Sequence, residues 1–123
     1  MRVGVVGVGY VGLVTAACLA DSGTDVICVD SNEEKISNLR QGIIPIYEPG
    51  LAEIVKRTRT TGRLRFTTYL KEAVDEALLL FIAVGTPSGA DGSADLSAVF
   101  SVAEAIAECM DGYRILVAKS TVP

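Results

Sequence analysis

The stretch Val3-Gly4-Val5-Val6-Gly7-Val8-Gly9-Tyr10-Val11-Gly12 constrains the fold of this chain more than any other. It opens apolar and β-branched, as a buried strand does, and runs on through Leu13–Ala20 as a segment suited to a helix packed on a sheet. Between the two, glycines at 7, 9 and 12 fall in the G-x-G-x-x-G spacing. Gly7 permits the tight turn out of the strand, and Gly9 lets the backbone come close to a pyrophosphate. Gly12 lets the helix lie against the strand. Val8, Tyr10 and Val11 complete the loop, and the helix start offers unbonded N–H groups and the positive end of a dipole to phosphates.

Glycine spacing alone marks many turns, so a second signal is needed. Val26-Ile27-Cys28-Val29-Asp30 is another apolar strand, and it ends in an acid 18 residues beyond Gly12. A carboxylate there accepts hydrogen bonds from the ribose hydroxyls of an adenosine and repels a 2′-phosphate, which favours NAD over NADP. Lys35, shortly after, has two readings: a cation reaching the ribose or a phosphate, or a solvated surface lysine.

Composition narrows the class. A chain of 123 residues suits one domain with a real core, and its net charge of −4 argues against a general nucleic-acid or anionic-membrane binder. The 18 uncharged residues between Arg2 and Asp21 invite a signal-peptide reading. Glycines at 4, 7, 9 and 12 make a poor membrane helix, and the segment already supplies the strand and helix the phosphate loop needs. A cytoplasmic protein is expected. Cys18, Cys28 and Cys109 are odd in number and set in apolar segments, as buried reduced thiols are, and no metal site is expected. The chain has no histidine, which removes the commonest general base and any Ser-His or Cys-His pair.

Further along, Ser31 or Asn32 suits the cap of a helix ending near Gly42, and Pro49 suits the first position of a helix through about Thr58. Arg57, Arg59, Arg63 and Arg65 read as a solvated basic patch. Leu64–Thr68 alternates as a strand, and Tyr69–Glu76 reads as a short helix. Leu78–Val84 is continuously apolar, the mark of a central parallel strand, and leads into Gly85-Thr86-Pro87. Asp95 suits the cap of a helix running to about Met110, with Leu96, Val99, Phe100, Val102, Ala103, Ile106 and Ala107 facing in. Tyr113–Ala118 is the last strand, followed by Lys119-Ser120-Thr121-Val122-Pro123. The order predicts a single α/β domain of Rossmann type: a doubly wound, mostly parallel sheet with helices on both faces. Gly7–Gly12, Gly85–Pro87 and Ser120–Pro123 should then meet at one sheet edge, the last two beside the nicotinamide of a dinucleotide.

Taken together, these segments resemble the UDP-glucose/GDP-mannose dehydrogenase family. The matching stretches are Gly7–Gly12, Asp30 with Lys35, Pro45-Ile46-Tyr47-Glu48-Pro49-Gly50-Leu51, Val84-Gly85-Thr86-Pro87, Asp91–Leu96 and Lys119–Pro123. The Tyr-Glu-Pro-Gly-Leu segment and the Lys-Ser-Thr-Val-Pro end incline towards the UDP-glucose branch. The resemblance implies an NAD-dependent, two-step oxidation of the C6 alcohol of UDP-glucose to a carboxylate by a homo-oligomeric full-length protein. It implies that Val11, Asp30, Lys35, Thr86 and Thr121 contact NAD, with Thr121 near the reacting carbon, where its hydroxyl helps position a water. Gly7, Val8, Gly9, Tyr10, Gly12, Val84, Gly85, Pro87 and Ser120 are the remaining candidate cofactor residues.

By the same resemblance the nucleophilic cysteine and the UDP-sugar domain lie downstream, and none of Cys18, Cys28 and Cys109 sits in the matching context. The chain then reads as the NAD-binding domain of such an enzyme, inactive on its own. Three alternatives remain open: another nucleotide-sugar dehydrogenase (GDP-mannose or UDP-N-acetylmannosamine type), a hydroxyacyl-type dehydrogenase with a similar first half, and a stand-alone NAD-sensing module.

Overall fold

A computed structural model describes residues 2–44, 48–84 and 97–118 of the chain. Strand β1 (Arg2–Val6) runs through the glycine loop into helix α1 (Tyr10–Asp21), and β2 (Asp25–Val29) returns beside β1. Helices α2 (Glu33–Arg40) and α3 (Leu51–Thr60) precede β3 (Leu64–Thr67). Helix α4 (Leu70–Glu76) leads to β4 (Leu79–Ile82), and α5 (Ser97–Cys109) to β5 (Ile115–Ala118). The strands form one five-stranded parallel sheet in the order β3-β2-β1-β4-β5. This is the expected doubly wound architecture, with the chain reversing direction across the sheet between β3 and β4.

The period-2 alternation of the central strands sorts their side chains onto two faces. Val5, Val26, Cys28, Leu64 and Phe66 pack with Leu13, Ala16 and Ala17 of α1, Ile36 and Leu39 of α2, and Leu51 and Val55 of α3. Val6, Ile27, Val29, Leu80 and Ile82 pack on the other face with Ala73 and Val74 of α4 and Ile106 of α5. Because both faces are covered, β1 and β2 read as apolar runs. Each fully buried Leu or Ile contributes about 1.5–3 kcal/mol of transfer free energy.

Several expectations are corrected by the packing. Helix α3 does not begin at Pro49: Gly50, at φ +82°, caps it, and the helix starts at Leu51. A left-handed cap favours glycine, which explains Gly50 better than the proline does. Arg57, Arg63 and Arg65 are exposed, as a solvated patch is, but all four arginines are also partnered. Arg57 pairs with Asp21 and Arg65 with Glu76, Arg63 donates to the Gly23 carbonyl, and Arg59 donates to the Arg40 carbonyl at the end of α2. Arg40 in turn places its guanidinium on the Phe66 carbonyl at 2.8 and 3.0 Å. The arginines thus tie helix ends and strand ends together.

Phe100 and Ala107 do not face the core: α5 packs on α4 and β4 through Ile106 and the half-buried Val99, Val102 and Ala103, and both residues lie on its exposed side. Tyr113 and Arg114 precede β5 rather than belong to it, and β5 is largely exposed. Cys28 is buried, as expected, but Cys18 lies exposed on the outer side of α1 and Cys109 is half-buried. All three are free thiols. Asp95 and Leu96 lie outside the described residues. Among the described residues no helix is long and apolar enough to cross a membrane, and no cluster of His, Cys, Asp or Glu could hold a metal ion.

Candidate cofactor site at the carboxyl edge of the sheet

At the carboxyl edge the hydrogen-bond ladder reaches one residue beyond each central strand. Gly7 N–H donates to the Val29 carbonyl at 2.7 Å, Asp30 N–H to Thr67 at 3.2 Å, and Ala83 N–H to Val6 at 2.8 Å. These bonds hold the start of the glycine loop, the acid after β2 and the exit of β4 in one row. Candidate residues separated by up to 77 positions in sequence, from Gly7 to Val84, come together this way.

The glycines differ in what surrounds them. Gly7 turns at φ +101°, and a Cβ there would sit 2.8 Å from the Ala83 carbonyl oxygen. A Cβ on Gly12 would lie 1.8 Å from the Gly7 carbonyl oxygen, so α1 is pressed directly onto the loop. Gly9 caps α1 with ordinary extended backbone (φ −72°), and an added Cβ would meet nothing within 4 Å. The two outer glycines are therefore demanded by the protein's own packing. The middle one borders open space at a helix start.

That helix start has no side-chain cap and no acid in its first turn. Its N–H groups and positive dipole end are left for an external anion. Nearby, Asp30 is held in place from two sides: Oδ2 accepts the Val8 N–H at 3.1 Å and Oδ1 accepts the Asn32 N–H at 2.9 Å. The first bond clasps the glycine loop to the end of β2. Lys35 Nζ stands 3.9 Å from Asp30 Oδ2, in the first turn of α2, where the Asn32 side chain caps its backbone N–H at 3.0 Å. Lys35, which the resemblance to the family implies contacts NAD, thus stands beside Asp30.

Beside Asp30 a cavity of about 190 Å³ opens between the ends of β1, β2 and β4. Val6, Val29, Leu70, Val84 and Val102 wall it, with Asp30, Ser31 and Thr68 as its polar members. A largely apolar slot beside a fixed carboxylate suits a flat ring. Thr68, Leu70 and Val102 were not among the candidate site residues read from the sequence. Thr68 was findable, because it follows β3 at the same carboxyl edge as Asp30; Leu70 and Val102 carry no signal beyond helix periodicity.

Tyr10 projects from the first turn of α1, half exposed, and its hydroxyl donates to Glu48 Oε2 at 3.0 Å. That hydrogen bond, reinforced by the carboxylate's charge, raises the phenol above its ordinary value of 10.0. Glu48 is thereby joined to the loop, a role the sequence did not indicate. Val11 is half-buried in the same turn. Gly85, Thr86, Pro87, Ser120 and Thr121 lie outside the described residues, although β4 and β5 are aligned in parallel register, Ile82 beside Ala118, and lead to the same edge.

Known proteins share this fold. The sequence profile of the UDP-glucose/GDP-mannose dehydrogenase family, NAD binding domain, matches residues 1–123. The chain belongs to this family. Its domain is the NAD-binding one, and NAD is its cofactor. A UDP-glucose 6-dehydrogenase of Rhizobium meliloti (strain 1021) is 52% identical over 124 residues, covering 100% of this chain and 28% of the relative. Among solved structures, a UDP-glucose dehydrogenase from Pyrobaculum islandicum superposes with a TM-score of 0.93 at 42% identity, covering 99% of this chain and 29% of that one. A GDP-mannose dehydrogenase from Pseudomonas aeruginosa gives the same TM-score of 0.93 and 42% identity, with coverage of 99% and 29%. The chain thus spans little more than a quarter of the length of these family members. The site fits the cofactor on its own terms: an uncapped helix start, open space at Gly9, and an acid fixed beside an apolar slot.

Proposed function

We propose that this chain holds NAD for the oxidation of UDP-glucose to UDP-glucuronate by a longer protein. In that reading the pyrophosphate rests on the N–H groups of Gly9 to Gly12, and the adenosine ribose on Asp30 with Lys35 beside it. The adenine occupies the cavity walled by Val6, Val29 and Val84. The nicotinamide extends towards Val84, Gly85, Thr86 and Pro87 and towards Ser120 and Thr121, with the Thr121 hydroxyl positioning a water near the reacting carbon. When bound, NAD supplies the hydride acceptor. The chain's own part is to fix the cofactor's orientation and to select it by charge.

The observation that carries this reading is the space at Gly9, unfilled by any protein atom within 4 Å of a built Cβ and facing a helix start without a side-chain cap. Gly9→Val tests it. Its backbone suits any residue, so the fold should survive while calorimetry shows NAD binding weakened at least about a hundredfold by the blocked approach. Unimpaired NAD binding by that variant would overturn the reading.

The UDP-glucose assignment rests on the 52% identity to the Rhizobium relative, and the GDP-mannose branch is the second reading because its member superposes equally well. The nucleophile and the sugar-nucleotide site belong to other parts of the longer, homo-oligomeric protein, which works in the cytoplasm, where the free thiols of Cys18, Cys28 and Cys109 stay reduced. The longer protein should form NADH with UDP-glucose and the 123-residue chain should not. NADH formation by the chain alone, or turnover of GDP-mannose in preference to UDP-glucose by the longer protein, would refute the respective part.

A further inference from the structure

Helix α1 carries no charge from Tyr10 to Ala20; its one charged residue is Asp21, at the last position. Its neighbours differ. α2 exposes Glu33, Glu34 and Arg40, and α3 exposes Glu53, Lys56 and Arg57. Leu13, Ala16 and Ala17 of α1 turn into the core. On its outer side Tyr10, Val11, Val14, Thr15, Cys18 and Leu19 line a shallow hollow of about 440 Å³. Tyr10 and Cys18 are exposed there, and Val11 and Thr15 are half-buried. A helix that is apolar all round is ordinarily covered all round, and contiguous exposed apolar surface marks an interaction site. The adjacent helix α3 is not free to close the hollow. It is pinned to both ends of α1, by the Tyr10 hydroxyl donating to Glu48 just before α3 and by the pairing of Arg57 with Asp21. These two polar links rim an apolar centre, the anatomy of an interface.

We propose that this face of α1 is a docking surface for a helix in the remainder of the longer protein. The proposal rests on the reading above that the nucleophile and the sugar-nucleotide site lie in that remainder. Two observations select this occupant. The chain spans 28% of the Rhizobium relative, so a family-length protein has ample chain to supply it. The hollow is also continuous with the cofactor edge, since Tyr10 and Val11 stand in the first turn of α1 beside Gly9, where the pyrophosphate is placed. The part that brings a nucleophile to the bound dinucleotide has to close on this edge, and the apolar stripe runs back from it along α1. The relief fits a helix. Tyr10, Val14 and Cys18 form one i, i+4 ridge and Val11, Thr15 and Leu19 the next, and the groove between such ridges accepts a ridge of a second helix crossing at about −50°. The docked row is uncharged, because a charge buried in this groove would find no partner.

Cys18, a free thiol within the hollow, reports on its cover. The longer protein is treated with iodoacetamide, both native and unfolded in urea, and modification of Cys18 is followed by peptide mapping. Under a docked helix Cys18 should react at least about tenfold more slowly in the native protein than in the unfolded one, at every protein concentration. Thr15→Asp puts a charge into the groove and is none of the residues assigned to NAD. It should restore the reactivity of Cys18 while NAD affinity is unchanged and the buried Cys28 stays unmodified, which shows that the fold is intact. Native labelling within about threefold of the unfolded rate overturns the proposal. So does protection that Thr15→Asp leaves unmoved, and so does protection that develops only as concentration rises, which would put a second copy on this face. Unprotected Cys18 with NAD binding intact by calorimetry refutes the docking surface alone, whereas absence of NAD binding refutes the cofactor reading on which it rests.

Discussion

Strands β2 and β5 are both apolar, Asp25-Val-Ile-Cys-Val29 against Ile115-Leu-Val-Ala118, yet their surroundings differ completely. In β2, Val26, Ile27, Cys28 and Val29 are all buried beneath helices on both faces. In β5, Ile115 stays 42% exposed and Leu116 39%. The chemistry of the side chains is alike, so the difference belongs to position: β2 lies between β1 and β3, while β5 has β4 on one side and α5 packed over β4. Burial is conferred by neighbours, and the cofactor edge is built where neighbours are most complete. Asp30, Gly7 and the Val6–Val29 wall of the cavity all hang from strands whose both edges are paired.

The strongest test of this contrast is Gly12→Ala. A methyl group 1.8 Å from the Gly7 carbonyl oxygen cannot be accommodated without moving α1 off the loop. Denaturant unfolding should show a loss of about 3 kcal/mol or more, beyond usual overpacking. A variant within about 1 kcal/mol of the parent would mean that the close approach of α1 is not what stabilises this half. Next comes the pair Leu80→Ala and Leu116→Ala, which are register partners on β4 and β5. Leu80 is fully buried, so its truncation should cost about 3 kcal/mol. Leu116 should cost less than about 1 kcal/mol. Equal costs would erase the distinction between the inner strands and the edge.

How much of this was legible beforehand follows the same division. Among the described residues every helix and strand was anticipated in order, with shifted starts at α3 and β5, because both the glycine loop and the apolar strands announce themselves locally. Asp30 was readable because its distance from Gly12 is dictated by one βαβ unit. What could not be read was decided across long separations. Phe100 and Ala107 lie roughly 100° or more around α5 from Ile106; α5 packs on α4 and β4 through Val99, Val102, Ala103 and Ile106, which leaves both outside. The arginines of the 57–65 segment look solvated in sequence, and only folding brings Asp21, Gly23, Arg40 and Glu76 to them. Tyr10 and Glu48 are 38 residues apart, and no local pattern joins them.

Cys28 sharpens the contrast through pH. Complete burial in the β2 core raises its thiol far above the ordinary value of 9.0, while the unfolded chain keeps that value. The folded state therefore binds the proton more tightly. Its contribution is complete below pH 9.0 and declines as pH rises beyond it. The decline approaches about 1.4 kcal/mol per pH unit. Stability measured from neutral to alkaline pH should fall more steeply in the parent than in Cys28→Ala. Parallel curves would mean that water reaches Cys28 and that β2 is less enclosed than its packing implies.

The smallest effect concerns the exposed end of the same logic, at Tyr10. Its phenol is raised by the hydrogen bond to Glu48 first and by that carboxylate's charge second. With a folded-state value above the unfolded one, the link is intact below pH 10.0 and is lost as pH climbs through the raised value. The side chain is solvated, so the stability change in Tyr10→Phe should be smaller than in any variant above. The spectroscopic signature is sharper than the energetic one. Phenolate absorbance should contain a component titrating above 10.0 that disappears in Tyr10→Phe and moves down in Glu48→Gln. If Glu48→Gln leaves that component in place, the bond between the glycine loop and the segment before α3 does not persist in solution, and the loop is clasped by Asp30 alone.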